Sequence, residues 1–252
     1  MRRCLCEPQY PRPGSTIPAT VSSEIARLDP ERIVIVGGPV SVTPAVETQL
    51  GTMTESVERI GGANRYEVSR NIAASVFDSA DRAYLATGAN FPDALAAGAV
   101  GGSIGAPVVL VNGSASTLDA ATTTLLEDLG VTSLRIAGGP VSVSPGIETA
   151  AGLIAPTVRL DGADRYAAAR SINADAYTSA DRVFLATGLN FPDALAGSVL
   201  AATNDAPLFV VKTNCVDQAT LDAIESLGAS EVTLLGGVNS LSTAVEELTP
   251  CV

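Results

Sequence analysis

The sequence has no histidine, no tryptophan and a single lysine, Lys212. The missing histidines exclude Ser-His-Asp triads, the usual zinc sites and the commonest general base. Five Phe and five Tyr in 252 residues are too few for an exposed platform on which sugars stack. Positive charge is also scarce. Fifteen basic residues face 27 acidic ones, a net charge of −12, and a large nucleic-acid footprint needs a basic face. No stretch reaches the roughly 18 consecutive apolar residues of a membrane span. The start, Met1-Arg2-Arg3-Cys4-Leu5-Cys6-Glu7-Pro8, lacks the apolar run of a secretory signal. The dinucleotide fingerprint G-x-G-x-x-G and the P-loop lysine are absent.

Cysteine is sparse too, at 4, 6, 215 and 251. Cys4 and Cys6 are too close for a comfortable bridge. Cys215 and Cys251 bracket the last segment. A bridge there would close a loop of about 36 residues and imply an oxidising compartment; two unrelated thiols are the alternative.

What is present describes a globular chain: 46% hydrophobic and 17% charged residues, long enough to bury a sizeable core. Except for Lys212, its basic residues are arginines, whose donor forks suit carboxylate and phosphate oxygens. A GC-rich codon bias would give the same composition.

The chain repeats itself. Ala86-Thr87-Gly88-Ala89-Asn90-Phe91-Pro92-Asp93-Ala94-Leu95-Ala96 returns 100 residues later as Ala186-Thr187-Gly188-Leu189-Asn190-Phe191-Pro192-Asp193-Ala194-Leu195-Ala196. Gly62-Ala63-Asn64-Arg65-Tyr66 returns at 162–166, and Ser79-Ala80-Asp81-Arg82 at 179–182, with the same offset. A β-prone run ending in a glycine pair occurs three times, at Gly37-Gly38, Gly138-Gly139 and Gly236-Gly237. These patterns divide the chain into two near-complete units, 61–160 and 161–252. Before them come the second half of another unit, 15–60, and an unrelated tail, 1–14.

Within 61–160 the apolar spacing predicts helices over 66–77, 91–102 and 117–129, and another starting at Ser144-Pro145. Short apolar runs at 83–87, 107–111, 133–137 and 157–160 predict strands. Strands alternating with helices give right-handed crossovers and mainly parallel sheets. The expected fold is α/β: tandem three-layer repeats, two near-complete and one half, packed around a pseudo-threefold axis.

In such sheets ligands bind beyond the carboxyl ends of the strands. The Ala-Thr-Gly-x-Asn-Phe-Pro-Asp loops and the glycine-pair loops lie there, each leading into a helix N-terminus that favours anions. The candidate ligand-binding residues are Arg65, Tyr66, Thr87, Asn90, Asp93, Gly138 and Gly139, with Arg165, Tyr166, Thr187, Asn190, Asp193, Gly236 and Gly237. A structural reading stands beside this one. Asp93 and Asp193 stabilise a first helical turn whatever the ligand, the glycines supply unusual backbone angles, and Arg65 and Arg165 pair with acids such as Asp161 or Asp93. The duplicated surroundings of the acids argue against a single active site and for multivalent binding to a repetitive polymer.

Arg-Ile-Gly-Gly-x-x-Arg-Tyr at 59–66, Ala-Thr-Gly-x-x-Phe-Pro-Asp-Ala-Leu-Ala at 86–96 and 186–196, Ala-Pro-Val-Val-Leu at 106–110 and the glycine-pair pattern resemble the type 2 cell-wall-binding repeat of Gram-positive bacterial surface proteins. The resemblance covers about 15–252. It implies a non-catalytic module, without cofactor, that anchors a secreted surface protein to an anionic wall polymer such as a teichoic-acid-like chain. It also implies an extracellular, wall-associated location. Two other readings remain: the wall-binding part of an N-acetylmuramoyl-L-alanine amidase, and a structural surface-layer protein.

Overall fold

The computed structural model describes residues 16–252. The tail 1–14, with Cys4 and Cys6, lies outside the described residues. One compact unit ends at Ile72, and a second spans Ala73–Val252.

In chain order the first unit holds α1 (Ala19–Leu28), β1 (Arg32–Val36), α2 (Pro44–Leu50) and β2 (Ser56–Ile60). The division between units falls inside α3 (Arg65–Val76). β1 and β2 form a two-stranded parallel sheet, in register from Arg32 opposite Ser56 to Val36 opposite Ile60. Ile35 and Leu50 are buried, while Val34 and Val36 are exposed on the other face.

The second unit continues with β3 (Arg82–Thr87), α4 (Pro92–Ile104), β4 (Val108–Val111), α5 (Ala120–Asp128), β5 (Ser133–Ala137), α6 (Pro145–Gly152) and β6 (Thr157–Leu160). Then come α7 (Arg165–Ala174), β7 (Arg182–Thr187), α8 (Pro192–Thr203), β8 (Leu208–Val211), α9 (Gln218–Ser226), β9 (Glu231–Leu235) and α10 (Thr243–Glu246). Two all-parallel sheets result, ordered β4-β3-β5-β6 and β8-β7-β9. β1 corresponds to β5 and β9, but those strands also pair with β3 and β7.

The layering follows from strand alternation, which sends successive side chains to opposite faces. In β3, Ala83 and Leu85 join Leu125, Leu126 and Ile147 of α5 and α6. Tyr84 and Ala86 join Ala96, Ala97 and Val100 of α4 and Ala169 and Ile172 of α7. Both faces are covered, so the strands are hydrophobic throughout, as parallel strands are. β7 repeats the pattern, with Val183 and Leu185 in one cluster and Phe184 and Ala186 in another.

Local chemistry sets the boundaries. Pro92, Pro145 and Pro192 open α4, α6 and α8, where a missing N–H costs nothing. α5 starts at Ala120 and not at Thr117, because Asp119 is the cap. Its carboxylate accepts from the Thr122 N–H at 3.0 Å and the Thr122 hydroxyl at 2.8 Å. β4 starts after Pro107, which has no N–H to donate but whose carbonyl accepts from Tyr84 at 2.9 Å. Cys215 and Cys251 are disulfide-bonded. Beside the bridge, Val216 pairs with Pro250, and the Cys251 N–H donates to the Val216 carbonyl at 2.9 Å.

The two repeats of the second unit are clasped at the amino ends of the strands. Asp175, just past α7, receives Arg135 Nε at 2.8 Å, an Arg82 Nη1 at 3.1 Å and the Tyr84 hydroxyl at 3.2 Å. Burial raises the pKa of the Tyr84 phenol, so it stays a neutral donor there.

Candidate functional site

The glycine-pair loops are built alike in all three places. The first glycine has a left-handed backbone: φ is +112° at Gly37, +109° at Gly138 and +112° at Gly236. At the first two, its carbonyl is held by an arginine of the adjacent strand. Arg59 Nη1 reaches the Gly37 carbonyl at 2.7 Å, and Arg159 Nη1 reaches that of Gly138 at 2.8 Å. Each arginine also pairs with an acid on the helix after the loop, Glu47 at 2.7 Å and Glu148 at 2.8 Å.

The Phe-Pro-Asp loops meet the glycine pairs. Asp93 is buried, its carboxylate against the backbone of Gly138, where a side chain at 138 would collide with it. Asp193 stands against Gly236 in the same way. Burial pushes the Asp93 pKa up, while the Ser142 hydroxyl bonded to it and the nearby Arg165 charge act in the opposite sense. Thr87 and Thr187 are buried, and their hydroxyls accept from the N–H groups of Ala89 at 3.2 Å and Leu189 at 3.3 Å. The amides of Gly88, Gly188 and Gly138 extend the ladders, to Val111, Val211 and Leu160. Several loop amides are therefore spent internally.

α7 begins at the same end of the sheet. Asp164 caps it, accepting from the N–H groups of Tyr166 at 3.0 Å and Ala167 at 2.8 Å. In the first unit Asn64 does the same for Tyr66 and Glu67, both at 3.0 Å. Arg165 is exposed and donates to the Gly188 carbonyl, and its charge also acts on Asp93. Its Cδ and the Tyr166 ring press on Gly188, leaving no room for a side chain there. Burial also raises the Tyr166 phenol. Arg65 is exposed and Tyr66 half-buried.

The second unit brings four of the sequence candidates together. A cleft of about 290 Å³ is lined by Asn90, Asp93, Gly139, Ser142, Asp164 and Arg165. The first four come from 61–160 and the last two from the next repeat. Asn190, Asp193, Gly236 and Gly237 lie at the equivalent loops of the last repeat. Sequence reasoning passed over Arg59, Arg159, Glu47, Glu148 and Ser142 as site-building residues. Their signal was the same repeat offset: Arg59 and Arg159 lie 100 apart and Glu47 and Glu148 lie 101 apart.

These features define a tandem α/β repeat module with a cleft between two consecutive copies, at the carboxyl ends of parallel strands. Residues 59–148 and 159–246 match the cell wall binding domain 2 (CWB2) family. The chain belongs to that family, which places it among proteins associated with the cell wall or surface. It is 26% identical over 223 residues to the N-acetylmuramoyl-L-alanine amidase LytC of Bacillus subtilis, covering 88% of this chain and 44% of LytC. It is 29% identical over 232 residues to the amidase enhancer of the same organism, covering 92% of this chain and 31% of that protein. The chain thus spans less than half the length of either relative. Among solved structures, Cwp8 from Clostridium difficile superposes with a TM-score of 0.81 at 27% identity, covering 92% of this chain and 40% of that one. Cwp6 from the same organism has the same fold, with a TM-score of 0.82 at 24% identity over 88% of this chain and 36% of Cwp6.

Proposed function

We propose that this chain anchors a surface protein to an anionic polymer of the bacterial wall, without catalysis. The reading takes 61–160 and 161–252 as successive repeats preceded by the half-repeat 15–60. It rests on one observation: the cleft between repeats gathers an exposed arginine, Arg165, with Asn90, Asp93 and Asp164. Arg165 keeps donors beyond the one given to Gly188, and its fork suits a phosphate or carboxylate. Asp93 and Asp164 are bound to Ser142 and to backbone amides. Their remaining lone pairs, with the exposed Asn90, suit sugar hydroxyls. An acidic sugar polymer satisfies both kinds of group.

The similarity to LytC over 88% of this chain favours a second reading, the wall-binding part of an amidase. Cosedimentation with purified walls, before and after the acidic polymer is extracted, tests the first. Binding should fall on extraction, and Arg165→Ala should weaken it about tenfold, the scale of one charge-assisted hydrogen bond. Unchanged binding to extracted walls would refute the polymer assignment. Muropeptide release by the chain alone would refute the non-catalytic one.

A further inference from the structure

The sole lysine of the chain, Lys212, follows directly on β8 and is exposed. It therefore stands at the carboxyl ends of the strands, the end at which the cleft opens. The same position one repeat earlier is Asn112, exposed but uncharged. Among the described residues, no ion pair or hydrogen bond engages the Lys212 ammonium.

Gly188 links this lysine to the arginine of the cleft. β7 and β8 pair in parallel with Thr187 opposite Val211. The Gly188 N–H extends that ladder to the Val211 carbonyl at 2.9 Å, so Gly188 and Lys212 follow as neighbours. The Gly188 carbonyl accepts from Arg165. Strand alternation sets the face on which the lysine stands. Val211 packs with Val183, Leu185 and Ile224, on the α9 side. Val210 packs with Ala169 and Ile172 of α7. Lys212 follows Val210 by two and falls on the α7 side. Arg165 reaches over that side too, because a Cβ on Gly188 would meet Arg165 Cδ at 3.2 Å and Val210 Cβ at 3.5 Å. The acids there are already engaged. Asp217 is held by Arg170 and by the Thr220 hydroxyl, and Asp164 by the amides of Tyr166 and Ala167.

We propose that Lys212 is a second anion-binding residue: the acidic polymer held at Arg165 continues across Gly188 and sets a further negative group against the Lys212 ammonium. This rests on the reading of the cleft as a polymer site and extends it into the last repeat. A chain of repeated negative groups meets both cations at once, and the second contact gains from the effective concentration that the first creates.

Cosedimentation of the full chain with purified walls over a range of salt tests this. Lys212→Gln should bind at least threefold more weakly, the scale of one exposed charged contact, with the melting temperature unchanged. Its salt dependence should be shallower, because one fewer counterion is displaced from the polymer. Lys212→Arg should restore both. Arg182→Gln removes the same charge at the opposite end of β7 and should bind as the wild type does. A second readout uses the uniqueness of the lysine. Amine acetylation located by peptide mass spectrometry reports on residue 212 apart from the α-amino group. It should slow at least tenfold on purified walls and not on walls stripped of their acidic polymer. Lys212→Gln that binds like the wild type while Arg165→Ala binds weakly overturns the proposal and leaves the cleft reading standing, as does a Lys212 that is acetylated freely in the wall-bound protein. An equal loss in Arg182→Gln shows an effect of net charge alone and also overturns it. A wild type without affinity for walls at any salt fails the cleft reading itself, and this one with it.

Discussion

Arg135 holds Asp175 through its Nε, 2.8 Å from one carboxylate oxygen and 2.9 Å from the other. The arginine is on a strand of one repeat and the aspartate follows a helix of the next. Both side chains are 13% exposed. Removing one member of a largely buried pair leaves an uncompensated charge. Asp175→Ala strands Arg135 and, in part, Arg82. It should destabilise the second unit by about 2–3 kcal/mol, less than a fully buried pair because Arg82 reaches solvent. Denaturant unfolding of Asp175→Ala, Arg135→Met and the double variant measures this. Costs that simply add would show that the two residues do not act together.

Two glycine substitutions should differ in sign. Gly138→Ala places a side chain at φ +109° and against the Asp93 carboxylate. It should cost about 2 kcal/mol or more through backbone strain and collision. Gly152 ends α6 with nothing within 4 Å of an added Cβ. Gly152→Ala should stabilise by about 0.5 kcal/mol by restricting the unfolded chain. Melting temperatures of the two variants decide it.

Asp93 has a pKa raised above the ordinary 3.8, chiefly by burial. The folded protein therefore holds its proton to higher pH than the unfolded chain does. Its contribution to stability is greatest in acid and declines as pH rises from about 3.8 through the raised value. Asp93→Asn removes that decline, so the stability gap between variant and wild type should shift in favour of the variant as pH rises from 4 toward neutrality. Unfolding curves across this range check it, and a gap that is constant with pH would contradict the assignment.

The Cys215–Cys251 bridge closes a loop with a sequence separation of 36. In the chain-entropy picture, losing it costs about 3–4 kcal/mol. The bridge anchors the segment after α10 over the cluster of Val216, Leu241 and Val245. Cys251→Ser should lower the melting temperature and speed proteolysis near the C-terminus. Reduction of the wild type should do the same, and an unchanged digestion pattern would show that the segment is held by packing alone.

Arg159 ties the Gly138 carbonyl to Glu148, so it positions the loop and does not line the cleft. Arg159→Ala should lower wall binding together with thermal stability. Arg165→Ala should lower wall binding with little change in stability. Paired binding and melting measurements on the two variants separate the roles.

The sequence by itself determined the alternation of helices and strands, the parallel sheets and the repeat. These follow from local periodicity, from prolines at first helical turns and from motifs copied at a fixed offset, none of which needs distant partners. Strand β5 at 133–137 and the Ser144 cap were legible to the residue for that reason. The tertiary structure alone decided which copies of a motif are buried. Leu95 and Leu195 sit in near-identical sequence, but one lies under a neighbouring helix and the other faces water. It also decided that Asp93 is bound to Ser142 while Arg165 stays exposed in the same cleft, because burial depends on what the next repeat brings against a residue.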